Sequence, residues 1–183
     1  MKACAVGVAI IALSAATAFA QTTTQSENKP SNPKMASALS VTDKTFINKA
    51  IQGDISEIGQ ARLALKQSRN PAVKKVAQKM IHDHGNADSQ LERIAHDQGY
   101  SPAREPPTAA RNAYASLAKE SGGAFDHAYV SEQQAVHRQA IALFRREARA
   151  GNNLAIKQFA EQTLPTLEHH LEMFEATAKR AER

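Results

Sequence analysis

The spacing of apolar residues in the second part of the chain constrains its fold more than any other feature. From Thr42 onward, apolar residues recur every three or four positions, which is the spacing of residues on one face of an α-helix. The alternation of β-branched and polar residues that is typical of strands does not occur in this region. The pattern therefore predicts an all-α domain.

Capping residues, prolines and glycines divide this region into helices. Thr42 or Asp43 is an acceptable N-cap for the first helix. Asn70-Pro71 places a cap before a proline at the first helical position, and Gly99 is a good residue to follow the end of the second helix. The predicted long helices cover about residues 42–68, 71–98, 124–150 and 152–180, and a short helix is predicted over about residues 109–119.

These helices predict a four-helix bundle of the ferritin-like kind, with the short extra helix in the crossover between the second and third long helices. Short connections make consecutive helices antiparallel neighbours, so two helical hairpins result. Pro165 is expected to kink the fourth helix. The predicted inward faces are Ile47, Ile51, Ile58 and Leu65; Val73, Ala77, Met80, Leu91 and Ala95; Phe125, Tyr129, Val136, Ala140 and Phe144; and Ile156, Ala160, Leu167, Leu171 and Phe174.

Residues 1–20 have the features of a secretory signal peptide. An apolar run over residues 3–13 is followed by small residues and by the motif Ala18-Phe19-Ala20, which predicts cleavage after Ala20. The run is too short to cross a bilayer as a stable helix. Cys4 precedes this run instead of following it, which argues against a lipoprotein anchor. Export predicts a periplasmic location.

The remainder of the chain divides into a polar leader and the helical domain. Residues 21–41 are rich in Ser, Thr, Gln, Asn and Pro and are predicted to be a flexible leader, and residues 42–183 form the bundle domain. The net charge of +5, or +4 after loss of Lys2, is scattered along the chain, which argues against a nucleic-acid partner. It is compatible with weak association with an anionic envelope surface. No transmembrane segment is expected in the mature chain.

Four chemistry-bearing residues fall on the predicted inward faces, each near the midpoint of a different helix: Glu57, His84, His137 and His170. Antiparallel packing brings helix midpoints to one level, so one carboxylate and three imidazoles are expected to form a layer inside the bundle. Neutral imidazole is a common ligand of zinc, iron and copper. The sequence therefore predicts a site for a transition-metal ion, in a metal-binding or stress-related bundle.

Two other interpretations of this layer remain open. Buried histidines often bond to carboxylates or backbone carbonyls, so the layer can be purely structural in a non-enzymatic envelope protein that provides support or binds a partner. Acid–base catalysis by a histidine with Glu57, Asp54 or Asp88 is conceivable, but no substrate pocket or reaction follows from the spacing. The remaining histidines are predicted to be exposed: His82, His96, His127 and His169.

Several short motifs of this chain occur together in a known family. They include Ile51-Gln52-Gly53-Asp54-Ile55-Ser56-Glu57, Asn70-Pro71-Ala72-Val73-Lys74, Met80-Ile81-His82-Asp83-His84 and Thr163-Leu164-Pro165. With these motifs, the chain resembles the bacterial exported family called domain of unknown function 4142 over about residues 43–178. The resemblance implies a ferritin-like bundle in the periplasm or envelope, in a family whose biochemical role is largely unassigned.

The chain departs from the ligand pattern of ferritin-like di-iron proteins. Those proteins use a glutamate three residues before a metal-binding histidine on two of their helices. Here Ile81, Gln134 and Leu167 occupy the positions three residues before the inward histidines. A carboxylate-bridged di-iron centre is therefore not expected, and a single ion held mainly by histidine is the predicted alternative.

Overall fold

The fold was obtained as a computed structural model that describes residues 38–181. The predicted signal peptide and most of the predicted leader lie outside the described residues. Within residues 38–181 the chain forms helices and no strand, which confirms the all-α prediction. The helices are α1 (Val41–Gln67), α2 (Pro71–Asp97), α3 (Thr108–Leu117), α4 (Gly122–Ala150) and α5 (Leu154–Ala181).

α1 begins slightly earlier than predicted because Ser40, and neither Thr42 nor Asp43, is its N-cap. The Asp43 N–H donates to Ser40 Oγ at 3.1 Å, and the Ser40 N–H donates to Asp43 Oδ2 at 2.8 Å, which is a reciprocal capping box. The second carboxylate oxygen of Asp43 accepts from the N–H groups of Asn152 at 2.9 Å and Asn153 at 3.3 Å. Asp43 therefore joins the start of α1 to the turn between α4 and α5.

The four long helices form a bundle in which α1 and α5 each pack against both α2 and α4. Phe46 near the start of α1 contacts Phe144 near the end of α4, with ring centroids 4.9 Å apart, so these two helices are antiparallel. The predicted pair of helical hairpins, α1 with α2 and α4 with α5, is confirmed. α5 continues as a helix through Pro165.

The connection from α2 to α4 runs along the length of α1. Near its beginning, the Ala103 N–H donates to Asn48 Oδ1 at 2.9 Å, and near its end Gln67 Nε2 donates to the Ala118 carbonyl at 3.2 Å. α3 lies within this crossover and packs against α1 and α4. A long crossover of this kind is the ferritin-like arrangement that the sequence predicted.

The buried apolar side chains form two clusters, one toward each end of the bundle. The first surrounds Phe46, Phe144 and Phe159, and the second surrounds Phe125 and Tyr129. Between them lies a layer of buried polar side chains. No helix within residues 38–181 combines the length and hydropathy that crossing a bilayer would require.

The predicted inward face of α1 is only partly correct over its second half. Ile47 and Ile51 are buried as predicted, but Ile58 and Leu65 are only half-buried. Leu65 packs against the second apolar cluster, and the buried residues of this half are Asp54, Glu57, Gln60, Ala61, Leu63 and Ala64. Smaller deviations affect Val136, Ala140 and Leu171, which are half-buried. The cause is the polar layer, because turning its carboxylates inward rotates neighbouring apolar residues toward the edge of the interface.

Candidate metal centre

The structure brings all four predicted site residues into one buried cluster. Glu57 is 4% exposed and His84 3%, while His137 and His170 are fully buried. The three imidazole rings lie 5.2 to 5.7 Å apart, centroid to centroid. One nitrogen from each histidine falls in a group whose atoms all lie within 4.8 Å of one another, so the three side chains can hold a metal ion.

Donor atoms from all four long helices lie at separations that suit a single ion. His137 Nε2 lies 3.4 Å from His170 Nδ1. Glu57 Oε2 lies 3.3 Å from His84 Nε2 and 3.5 Å from His137 Nε2. A tetrahedral ion with ligands at about 2.0 to 2.1 Å places its donor atoms roughly 3.4 Å apart. Three nitrogens and one carboxylate oxygen therefore converge at a suitable separation.

Two of the imidazoles are held in orientation by a hydrogen bond from the nitrogen that faces away from the cluster. His84 Nδ1 donates to Asp54 Oδ1 at 2.7 Å, and His137 Nδ1 donates to the Gln133 carbonyl at 2.9 Å. Each bond fixes the tautomer, which leaves Nε2 of both rings to face the centre. Such an outer acceptor is usual for histidines that bind metals.

The third imidazole is held the other way round by a carboxylate on α2. His170 Nε2 donates to Asp83 Oδ2 at 2.8 Å, so His170 Nδ1 faces the centre. Asp83 also accepts from Lys79 Nζ at 2.9 Å and from His82 Nδ1 at 2.9 Å. Although burial opposes its charge, these hydrogen bonds hold the pKa of Asp83 below its usual range, so it stays a carboxylate.

Burial and the charges in the cluster favour the neutral form of His137 and His170 and the protonated form of His84. Burial and the charge of His84 lower the pKa of His137 to about 3 and that of His170 to about 4. Burial also opposes a charge on His84, but Glu57 and the hydrogen bond to Asp54 raise its pKa to about 9. Burial raises the pKa of Glu57 to about 7. A cation that binds here would take the place of the His84 proton.

Two openings on opposite sides of the bundle lead to the cluster. One, between α1 and α4, has a volume of about 660 Å³ and reaches Glu57 and His84. The other, between α2 and α5, has a volume of about 220 Å³ and reaches His84 and His170. Each opening lies where one helical hairpin meets the other, and we call them the α1/α4 opening and the α2/α5 opening.

The sequence did not reveal three residues that shape the cluster. Asp83 holds His170, and Gln133 Nε2 donates to Gln60 Oε1 at 2.7 Å beside the layer. Gln60 lies three residues after Glu57, and Gln133 lies four residues before His137. Each glutamine therefore shares a helix face with a predicted site residue, so helical spacing alone could have identified both. Asp88, by contrast, binds Arg104 at 3.0 Å near the surface.

The predictions for the other histidines are confirmed, because the following four are exposed: His82, His96, His127 and His169. The layer therefore uses three of the seven histidines in the chain. Burial separates the histidines of the layer from those on the surface.

The fold and the site together define a class, a ferritin-like four-helix bundle with a buried layer of histidine and carboxylate. The family described as Domain of unknown function (DUF4142) matches residues 28–177. The chain belongs to this family, as its motifs indicated.

A solved structure has a similar fold. It is the crystal structure of a DUF305 fragment from Deinococcus radiodurans, with a TM-score of 0.70, 16% sequence identity, and coverage of 78% of this chain and 98% of that chain. At this identity the similarity shows the fold alone. A comparison with curated proteins gives no match.

Proposed function

We propose that the protein binds one divalent transition-metal ion, zinc, iron or copper, through His84, His137, His170 and Glu57. The observation that carries this proposal is the direction of the ring nitrogens. Each imidazole has one nitrogen bound to an outer acceptor, and its second nitrogen faces the same small volume as Glu57 Oε2. Three imidazoles and one carboxylate suit these ions better than magnesium or calcium, which prefer oxygen.

The incomplete hydrogen bonding of the cluster also favours a metal site over a purely structural layer. His84 Nε2 and Glu57 Oε2 are buried and have no hydrogen-bond partner, although they lie 3.3 Å apart. Buried polar atoms normally have a hydrogen-bond partner. In a layer that only fixes the register of the helices, every buried polar atom would be expected to have one. An ion at the centre would satisfy both atoms at once.

We also propose that the protein works in the periplasm. The support is the sequence of residues 1–20, with its apolar run and cleavage motif, and the polar leader over residues 21–41 would then separate the cut from the bundle domain. Protein recovered from the periplasmic fraction should begin at Gln21. A chain that keeps residues 1–20 and stays in the cytoplasm would contradict export without affecting the metal proposal.

Metal analysis of this recovered protein, combined with thermal melting, tests the metal proposal. We expect one transition-metal ion per chain. An ion at 100 times its Kd adds about 2.7 kcal/mol of stability, which raises the Tm by roughly 5 to 10 °C over the protein treated with a chelator. No bound metal and the same Tm with and without chelator would refute it.

The variant His137→Leu is a sharp test because it removes one proposed ligand and leaves the carboxylates that hold the other two histidines in place. His137 is surrounded partly by apolar atoms, with its ring 5.5 Å from that of Phe174, and its outer hydrogen bond is to a backbone carbonyl of its own helix. We expect this variant to fold and to lose more than about 100-fold in metal affinity. The matched control is His127→Leu, an exposed histidine on the same helix, which should bind like the wild type.

A further inference from the structure

The two openings to the cluster differ in their chemistry. The α1/α4 opening is lined by the carboxyl groups of Asp54 and Glu57, by the cations Lys49 and Arg146, which offset them, and by apolar side chains such as Leu143. Apart from His84, which faces both openings, the α2/α5 opening has no lysine or arginine in its lining and carries mainly oxygen-bearing side chains: Asp54, Asp83, Asn86, Gln90, Gln162, Thr163 and Thr166. A positive ion is therefore attracted more strongly to the α2/α5 opening than to the α1/α4 opening.

Two carboxylates mark a path through the α2/α5 opening. Asp83 lies near the surface, with 14% of its side chain exposed, and its carboxylate already contacts His170. Deeper in the opening is Asp54, which is 6% exposed and whose Oδ2 is buried without a hydrogen-bond partner. Both residues therefore offer carboxylate oxygen next to a histidine of the cluster.

The α2/α5 opening has room for an ion with its bound waters. Its volume is about 220 Å³, and a single water needs only roughly 10 to 15 Å³ measured in the same way. Carboxylate, amide and hydroxyl oxygens can replace these waters one at a time before the softer imidazoles bind.

We propose that the α2/α5 opening is the entry site for the metal, where a hydrated divalent cation binds first to Asp83 and then passes Asp54 to reach His170 and His84. Lys79, which holds Asp83, is released or displaced when the cation arrives. This inference rests on the proposed metal-binding function and adds its route. The α1/α4 opening does not serve as the route for the cation.

Three exposed glutamines allow a matched test. Gln90 and Gln162 line the α2/α5 opening, and Gln139 lines the α1/α4 opening. Each is changed to Lys, and the association rate of Co²⁺ is measured by stopped-flow absorption at low salt and at high salt. A positive charge about 8 to 10 Å from the path of a divalent ion should slow entry roughly fivefold at low salt.

We expect Gln90→Lys and Gln162→Lys to slow Co²⁺ association by this factor at low salt and to approach the wild-type rate at high salt. Gln139→Lys should stay within about twofold of the wild type at both salt concentrations. Gln90→Ala and Gln162→Ala should leave the rate unchanged, which separates charge from side-chain shape.

Unchanged rates in Gln90→Lys and Gln162→Lys, or equal slowing in Gln139→Lys, would overturn the entry site. Equilibrium binding of Co²⁺ to the wild type is measured first, so that failure of metal binding can be distinguished from failure of the entry route. A wild-type protein that binds no Co²⁺ contradicts the metal function itself, whereas normal binding with unchanged rates in the variants contradicts the route alone.

Discussion

Glu147 is a buried carboxyl group that the proposed metal site does not use. It lies on α4, 2% exposed, next to Asp43 at the end of the bundle where α1 begins. Burial raises its pKa, and a hydrogen bond with Asp43 and the negative charge of that residue raise it further, to about 7, against the attraction of Arg146 and Lys157. Glu147 is therefore protonated in the folded protein under mildly acidic conditions and donates to Asp43.

We predict that this residue makes the protein less stable as the pH rises. Because the folded pKa of Glu147 lies above its ordinary value of 4.5, its contribution to stability is fully present below pH 4.5 and is lost as the pH rises through about 7. Gln is a neutral mimic of the protonated acid. The free energy of unfolding of Glu147→Gln, relative to wild type, should therefore increase from pH 4.5 to pH 8.

Urea unfolding of both proteins across this pH range provides the measurement. Comparing variant with wild type at each pH cancels the effects of titrating groups that do not contact Glu147. Glu161→Gln, an exposed carboxyl on α5, is the control and should run parallel to wild type. If Glu147→Gln also ran parallel, the carboxyl pair would not be the source of the pH dependence.

At the level of residues, the part of the candidate site that depends on spacing along a single helix was predictable from the sequence. Glu57, His84, His137 and His170 were identified because each is an inward position near a helix midpoint. Asp83 was not, since a residue next to His84 points away from the centre of the face, and only its contact with α5 shows its role. That contact depends on how α2 and α5 pack against each other, and this packing cannot be deduced from the residue spacing along either helix alone.

The end of α2 shows how a single residue terminates an element. Gly99 has a φ of +69°, the left-handed region that residues with a Cβ adopt at a cost. The Gly99 N–H donates to the His96 carbonyl at 2.8 Å, and the Tyr100 N–H donates to the Ala95 carbonyl at 2.9 Å. These two bonds form a Schellman motif, which agrees with the position of Gly99 after the predicted helix.

We predict opposite effects for alanine at two glycines of this region. Gly99→Ala should lower the free energy of unfolding by about 1 kcal/mol, because the left-handed conformation becomes strained. Gly85→Ala, inside α2, should raise it by about 0.5 to 1 kcal/mol, because a Cβ there meets no atom within 4 Å and the unfolded chain loses freedom. Urea unfolding measures both, and equal signs would show that local backbone conformation does not control this element.

At the level of elements, the error in α1 has a physical cause. Ile58 and Leu65 are apolar, so a count of apolar residues places them inside. In the structure Asp54 is buried together with Glu57, which was predicted to face inward, because His84 lies opposite and compensates for their burial. Hydropathy alone favours burial of the apolar residues over the carboxylates, and a histidine on another helix reverses this preference.

At the scale of the whole molecule, connection lengths were enough to predict the topology. Two short turns and one long crossover allow few arrangements of four helices, and the ferritin-like one is observed. The two openings were not predictable, because they depend on how closely the hairpins approach each other. Interhelical distances follow from the sizes of many side chains together and are not encoded in the spacing along any one helix.

The division of the four donors between the hairpins has a consequence for unfolding. Glu57 and His84 belong to the N-terminal hairpin, and His137 and His170 belong to the C-terminal one. A bound ion would therefore cross-link the two halves of the chain, as a disulfide bond does in other proteins.

We predict that saturating metal slows unfolding in concentrated denaturant by at least about tenfold in the wild type and not in His137→Leu, as stopped-flow fluorescence or circular dichroism would record. Equal unfolding rates with and without metal would mean that the halves separate before the ion leaves. With the expected slowing, the lifetime of the folded protein would be set by the supply of metal in its compartment, so the bundle would persist where the ion is plentiful and be cleared where it is scarce.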